Sequence, residues 1–181
     1  MKIFFTVVIT IASLLVLGVV FIFSGIYNVA ASKGHNPLVR WVLNTTMEHS
    51  VENHAHSEGQ IEASGNLSGG FQEFLSNCII CHGSPIQQRW KPVQSMTPEP
   101  PELHKAAKEL SLAELVWIVE HGIKMTGMPA FGPTHSRKEL VEIATFVDTL
   151  PAITVSEFRQ FADSLGLRQT DTINSYEHSG R

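Results

Sequence analysis

The run Asn77-Cys78-Ile79-Ile80-Cys81-His82-Gly83-Ser84-Pro85 holds both cysteines of this 181-residue chain, and a histidine directly follows the second. Two thiols three positions apart on a helical turn, with an imidazole beside them, form the pattern for c-type haem attachment. Each thiol can make a thioether with one vinyl group of the ring, and the imidazole is then held below it as the proximal iron ligand. A structural zinc site needs four donors, and the usual second cysteine pair is absent; His104 and His121 follow at no familiar spacing. A thioredoxin-like redox pair calls for a strand before the first cysteine, and none is legible ahead of Cys78. A short structural disulfide would seldom need the histidine.

The sixth iron position can take a methionine, a second histidine or nothing. Gly122 to Pro133, GIKMTGMPAFGP, places Met125 and Met128 in a glycine- and proline-rich loop. Met128 is the expected distal ligand, because Gly127 before it lets the chain turn closely and Pro129 after it fixes an extended approach. Met125, Met96 and a histidine are the other donors in play. Both loop methionines could also simply fill gaps in a core.

The elements around these two stretches read as helices. Phe71, Phe74 and Leu75 give a short helix from Gly70 an apolar side as it leads into the cysteines. The section from Pro85 to His104 carries PEPPEL, which disfavours a continuous helix or a central strand. Ser111 and Glu114 then form a capping box, with Leu112, Leu115, Val116 and Val119 as the buried stripe and Gly122 as the stop. Ser136 and Glu139 repeat the device, with Leu140, Ile143, Ala144, Val147 and Leu150 as the stripe and Pro151 as the stop. With no convincing alternating run, the expected fold is all-α. So few short helices enclose little apolar core, and a large flat cofactor at their centre would supply the missing surface.

Upstream, Ile3 to Tyr27 contains no charged residue over 25 positions. An apolar run of about 20 residues can cross a bilayer as a helix, whereas the apolar part of a cleaved signal is only about 7–15 residues long. An uncleaved transmembrane anchor is expected, although a cleavage site could be drawn at Val29-Ala30-Ala31. Lys2 lies on one side of the span and Lys33 and Arg40 on the other, so basic residues do not fix orientation. Next comes a juxtamembrane stretch with Leu38, Trp41, Val42, Thr45 and Thr46 on a weak helical face, and with Trp41 as an interface residue. His35, His49, His54 and His56 crowd this segment without acidic or thiol donors at suggestive spacing; a solvated linker is the plain expectation, and a metal site or partner contact the alternative. SGNLSGG, residues 64–70, reads as a hinge or turn before the next element. At the far end, Phe158, Phe161 and Leu165 share one face of a helix around Ser156–Leu165, before a polar tail.

The formal net charge of −4 and the scattered basic residues exclude a nucleic-acid footprint. Lys91, Lys105, Lys108, Lys124, Arg137 and Lys138 could form a docking rim for an acidic partner, but acidic residues are as common in the same region.

Taken together, CIICH, PEPPEL, ELVWIVEHGIKMTGMPAFGP and ATFVDTLP resemble a class I cytochrome c domain, and more narrowly the membrane-anchored mono-haem members of bacterial electron-transport chains. The likeness covers about Gly70 to Pro151. It implies that the helix with Phe71 and Phe74 crosses the helix with Phe146, that His82 is proximal and Met128 distal, that Pro101 and Leu103 line the lower rim of the haem, and that Trp117 and Phe131 help exclude water.

The expected organisation is a transmembrane anchor at 1–30, a juxtamembrane linker at 31–69, a haem domain at 70–151 and a C-terminal extension at 152–181. The expected function is a membrane-tethered one-electron carrier with one covalently attached haem c, bound through Cys78, Cys81, His82 and Met128. It has no substrate chemistry of its own, sits in the bacterial inner membrane with the haem domain facing the periplasm, and meets a redox protein or membrane respiratory complex. The alternative is a haem subunit of a larger oxidoreductase. A haem enzyme or gas sensor would require Met128 to stay off the iron.

Overall fold

In the computed structural model, which describes residues 1–165, the chain divides into two units, 1–33 and 34 onward. The first unit carries α1, Lys2–Phe23, which has a mean hydropathy of 2.8 and is long enough to cross a membrane. Both of its threonines are satisfied within the helix: Thr6 Oγ1 donates to the Lys2 carbonyl at 3.1 Å and Thr10 Oγ1 to the Thr6 carbonyl at 2.9 Å. Ser24 caps the end and Gly25 follows with φ 66°, a left-handed stop.

The second unit is all-α, with no strand among the described residues. Its helices are α2 Pro37–Ser57, α3 Leu67–Glu73, α4 Ile79–His82, α5 Leu103–Ala106, α6 Leu112–His121, α7 Arg137–Thr149 and α8 Val155–Ser164. The expected capping boxes are both made: Ser111 Oγ accepts from the Glu114 amide at 3.3 Å, and Ser136 Oγ from the Glu139 amide at 3.4 Å, while each glutamate reaches back to the cap amide. Thr154 and Glu157 form a third box at the start of α8. Among these glutamates, backbone and hydroxyl hydrogen bonds from Ser136 hold Glu139 below its ordinary value, and those from Thr154 do the same for Glu157.

The core forms where α3 crosses α7. Phe71 meets Phe146 edge-on at 5.1 Å, Phe74 lies 5.4 Å from Phe146, and all three rings are fully buried. Leu115, Val116 and Val119 of α6 and Leu140, Ile143, Ala144, Val147 and Leu150 close the cluster. The start of α3 departs from the sequence reading. Residues 64–70 suggested a hinge or turn, but Asn66 caps a helix that begins at Leu67 and runs through Gly69 and Gly70. Those glycines serve the crossing: a Cβ on Gly70 would lie 2.7 Å from the Glu142 carbonyl carbon and 2.9 Å from Phe146 Cβ, with the Glu142 carbonyl oxygen closer still.

Two further helices lie against this core. α2 buries Val51 and Ala55, and it packs on α6. Arg137, at the start of α7, pairs with Glu58 at the end of α2 and with Glu120 of α6, tying three elements at one guanidinium. α8 inserts Phe158, 5.1 Å edge-on from Phe71, into the aromatic cluster. Of the C-terminal extension, the polar tail beyond Leu165 lies outside the described residues.

Gly70→Ala forces the crossing helices apart and is expected to destabilise the protein by about 2–3 kcal/mol, the upper range for overpacking, measured by urea denaturation. Gly65→Ala, where an added Cβ meets nothing within 4 Å, is expected to leave the denaturation midpoint unchanged.

Candidate haem site

The two cysteines and His82 are delivered by an irregular helix end. After α3 the backbone widens into a π turn over Phe74–Cys78, where the Ile79 amide reaches the Phe74 carbonyl, and α4 then carries Ile79–His82. One extra residue in a turn rotates the downstream side chains by about 100° relative to an α-helix. Phe71 and Phe74 are thereby committed to the core, while both cysteines are only part-buried. Gly83 ends the turn with φ 67°, its position crowded by the Gln87 carbonyl and the Arg89 side chain. The π turn left no signature in the sequence.

His82 is 9% exposed, and its Nδ1 lies 2.8 Å from the Pro101 carbonyl. A carbonyl can only accept, so Nδ1 carries the proton and Nε2 keeps its lone pair. Burial lowers the imidazole's pKa, the Pro101 hydrogen bond opposes that shift, and the charge of Arg89 adds to it. The result is a neutral ring with one nitrogen fixed and the other free to bind iron.

The carbonyl that does this is held by Arg89. Its guanidinium donates to the Pro100 carbonyl and pairs with Glu99 at 2.7 Å and with Glu102 at 3.7 Å. Three residues flanking Pro101 are thus pinned by one side chain that is itself 16% exposed. Lys105 also pairs with Glu102 and holds its carboxyl below the ordinary range. A cavity of about 390 Å³ opens beside His82, lined by Gly83, Ile86, Arg89, Glu102 and His104 among others; Met128 does not line it.

Cys78 and Cys81 are free thiols. Burial, then the charges of Cys81 and Glu73, pushes Cys78 up to about 12, and burial raises Cys81. A disulfide-exchange pair works by the opposite shift, a lowered thiol pKa. Nor do the described residues gather three or more His, Cys, Asp or Glu side chains around a metal-sized point, as a zinc site would require. Paired neutral thiols beside an imidazole with a free Nε2 fit a haem c.

The downstream loop distinguishes its two methionines. Met125 sits at φ 61° with its side chain 92% exposed. Met128 is part-buried and packs on the core; its amide donates to Thr126 Oγ1 at 3.1 Å and its carbonyl accepts from the Ile123 amide at 3.3 Å. Gly122, at φ 64°, allows this fold-back, since a Cβ there would meet the Pro129 carbonyl carbon at 2.6 Å. The methyl end of Met96 occupies the space over Gly127 that a Cβ would fill.

Other expectations sort differently. Leu103 packs at the edge of the core, as does Phe131. Trp117 makes ring contacts with His54 of α2 at 5.4 Å and with His121 at 4.8 Å. His54 therefore contributes to the α2–α6 contact, which the histidine-rich composition alone did not indicate. Among the described residues, His35, His49, His54 and His56 belong to no cluster of three or more His, Cys, Asp or Glu side chains that could hold a metal ion. In the proposed lysine rim, Lys105, Arg137 and Lys138 are engaged by Glu102, by Glu58 and Glu120, and by Glu142.

Arg89→Gln is expected to loosen the Pro101–His82 hydrogen bond by at least about 1.4 kcal/mol, which corresponds to about tenfold faster exchange of the His82 Nδ1 proton, read by nitrogen-15 NMR.

The family described as cytochrome C oxidase, cbb3-type, subunit III matches residues 65–147. No curated protein and no solved structure gives a match. The matched span runs from just before the Asn66 cap to the last turn of α7 and includes the cysteine pair, His82, the Pro101 loop and the methionine loop. Over residues 65–147 this chain is a class I cytochrome c domain, and the group such a domain binds is haem c.

Proposed function

We propose that the protein is a membrane-tethered one-electron carrier with a single haem c, bonded through Cys78 and Cys81 and ligated by His82 and Met128. The observation that carries this reading is the buried, neutral His82, its Nδ1 fixed on Pro101 and its Nε2 free, directly after a pair of free thiols. Bound haem c supplies one-electron exchange between ferric and ferrous iron, and a thioether ligand favours the ferrous state.

The chain's own residues do the rest. The Pro101 carbonyl orients the imidazole and raises its basicity as a ligand. The pinned loop from Ile123 to Met128 presents a thioether without the regular geometry of a helix. Phe71, Phe74 and Phe146 keep water from the interior side, and capped α6 and α7 hold the loop at both ends. With His82 and Met128 both holding the iron, the group would supply electron transfer between partners rather than substrate chemistry.

The apolar α1 supports an anchor over residues 1–30. Residues 31–69 include α2, residues 70–151 are the haem domain, and 152–181 extend it. Because covalent haem attachment takes place outside the cytoplasm, we place the domain on the periplasmic face of a bacterial inner membrane. Confinement to that plane raises the effective concentration at membrane-bound redox partners.

One observation favours a second reading. The matching family is described as subunit III of an oxidase, so the chain is alternatively the haem-bearing subunit of a respiratory oxidase complex. Extraction in mild detergent separates the two: a carrier is recovered alone, a subunit with its partners.

Met128→Ala in the matured protein is expected to lower the midpoint potential, abolish the sulfur-to-iron absorption of the ferric state, and let carbon monoxide bind the ferrous state. Unchanged spectra would remove Met128 from the iron and with it the carrier mechanism.

A further inference from the structure

We propose that Met96 is a positioning residue for the distal ligand: its side chain braces the methionine loop from outside and so holds Met128 to the iron. This deepens the reading of Met128 as an iron ligand and rests on it. The methyl carbon of Met96 stands in the space that a Cβ on Gly127 would fill, and its Sδ is 3.5 Å from that position. Outside Gly127 and its two chain neighbours, no other described heavy atom comes within 4 Å of it. Gly127 is exposed and has no left-handed φ, so the backbone there does not itself call for glycine. The missing side chain makes room for Met96.

The tip of the loop needs such a brace. The hydrogen bonds that shape it close within residues 123–128: the Thr126 amide and Oγ1 donate to the Ile123 carbonyl at 3.2 and 2.7 Å, the Met128 amide donates to Thr126 Oγ1, and the Ile123 amide donates to the Met128 carbonyl. Bonds of this kind fix the internal shape of a loop but not its place against the rest of the domain. Met128 packs on the core, yet Lys124, Met125, Gly127, Pro129 and Ala130 around it are exposed. A ligand carried by such a loop stays in bonding position only if its neighbours are supported too.

The segment that carries Met96 is itself fastened beside the other expected ligand. The Trp90 amide donates to the carbonyl of Ile80, between the two cysteines, at 3.1 Å. From there the tight turn Lys91–Ser95 buries Val93, and the Met96 amide donates to the Val93 carbonyl at 3.1 Å. Farther along, Arg89 grips the Pro100 carbonyl and the Pro101 carbonyl accepts from His82 Nδ1. Residues 89–101 therefore hold His82 at one end and the neighbour of Met128 at their middle. Methionine suits the second task, because an unbranched thioether chain follows small movements of the loop without losing contact.

The test uses the matured, haem-loaded full-length protein in detergent, whose ferric sulfur-to-iron absorption first establishes that a methionine is bound. Two rates are then read. Added imidazole binds the ferric protein only when the thioether leaves the iron, and the Ile123 amide exchanges in the ferrous protein, by NMR, only when its bond to the Met128 carbonyl opens. Met96→Ala is expected to speed both about tenfold, as the loss of part of a methionine's packing implies, with the Phe146 amide of α7 unchanged. Gly127→Ala displaces the Met96 methyl and is expected to act alike, and it carries the test if Met96→Ala fails to mature. In the double variant the added carbon has nothing left to displace, so its rates match Met96→Ala alone, where independent effects would multiply. Unchanged rates in Met96→Ala overturn the brace and leave Met128 as the ligand. Equal acceleration at Phe146 also overturns it, because Met96 would then support the whole domain rather than the loop. A parent without the absorption, or a Met96→Ala variant that loses it while Met128→Ala keeps it, overturns the Met128 assignment and the brace together.

Discussion

The second unit depends on how closely α3 can approach α7. Aromatic stacking alone does not set that distance; a missing side chain does. At Gly70 the backbone of one helix rests on the backbone of the other, and a single added carbon has no room. The close crossing brings Phe71 and Phe74 onto Phe146 and leaves space for Phe158 to close the cluster. Four phenylalanines in mutual contact bury much apolar area for a small domain, and each edge-on pair adds a directional preference that bulk burial lacks. The crossing also fixes where α3 must end, and hence where the cysteines begin.

From that fixed point the site is built outward in two directions. Along the chain, the π turn rotates Cys78, Cys81 and His82 out of register with the core-facing phenylalanines. Across the chain, Arg89 gathers Glu99, Pro100 and Glu102 so that the carbonyl of Pro101 meets His82. Proline supplies no amide donor of its own, so Pro98, Pro100 and Pro101 offer carbonyls only. An extended loop is stiff enough to hold one acceptor in place when its neighbours are pinned by an ion pair.

The range of each signal decided how much of this was legible in the sequence. Local signals were plain: the Ser111 and Ser136 boxes, the stripes of α6 and α7, the thiol spacing and the glycine stops are each readable within a turn or two. Signals that need a partner distant in sequence were hidden. Gly69 and Gly70 read as a hinge or turn because only the position of Glu142, some 70 residues on, shows why a helix wants glycine there. The Arg89 pairing was concealed because a lone arginine in an irregular stretch has no periodic context. The histidine-rich segment read as a polar linker because its pattern has little amphipathic contrast; Val51 and Ala55 are small, and His54 packs through its ring on Trp117 rather than as an apolar residue.

The electrostatics of the site share one direction. Burial drives Cys78 and Cys81 up and His82 down, so all three donors stand in their neutral forms near neutral pH. Such a set is poor at holding a bare dication, which is best bound by thiolates and carboxylates, and poor at thiol exchange, which needs a nucleophilic thiolate. It suits a group that brings its own compensating charge. An iron porphyrin carries one net positive charge at its centre when oxidised and none when reduced, so the burial that lowers the pKa of His82 would also disfavour the oxidised form. In the proposed carrier, a thioether ligand from Met128 would act in the same sense as burial, both favouring acceptance of an electron.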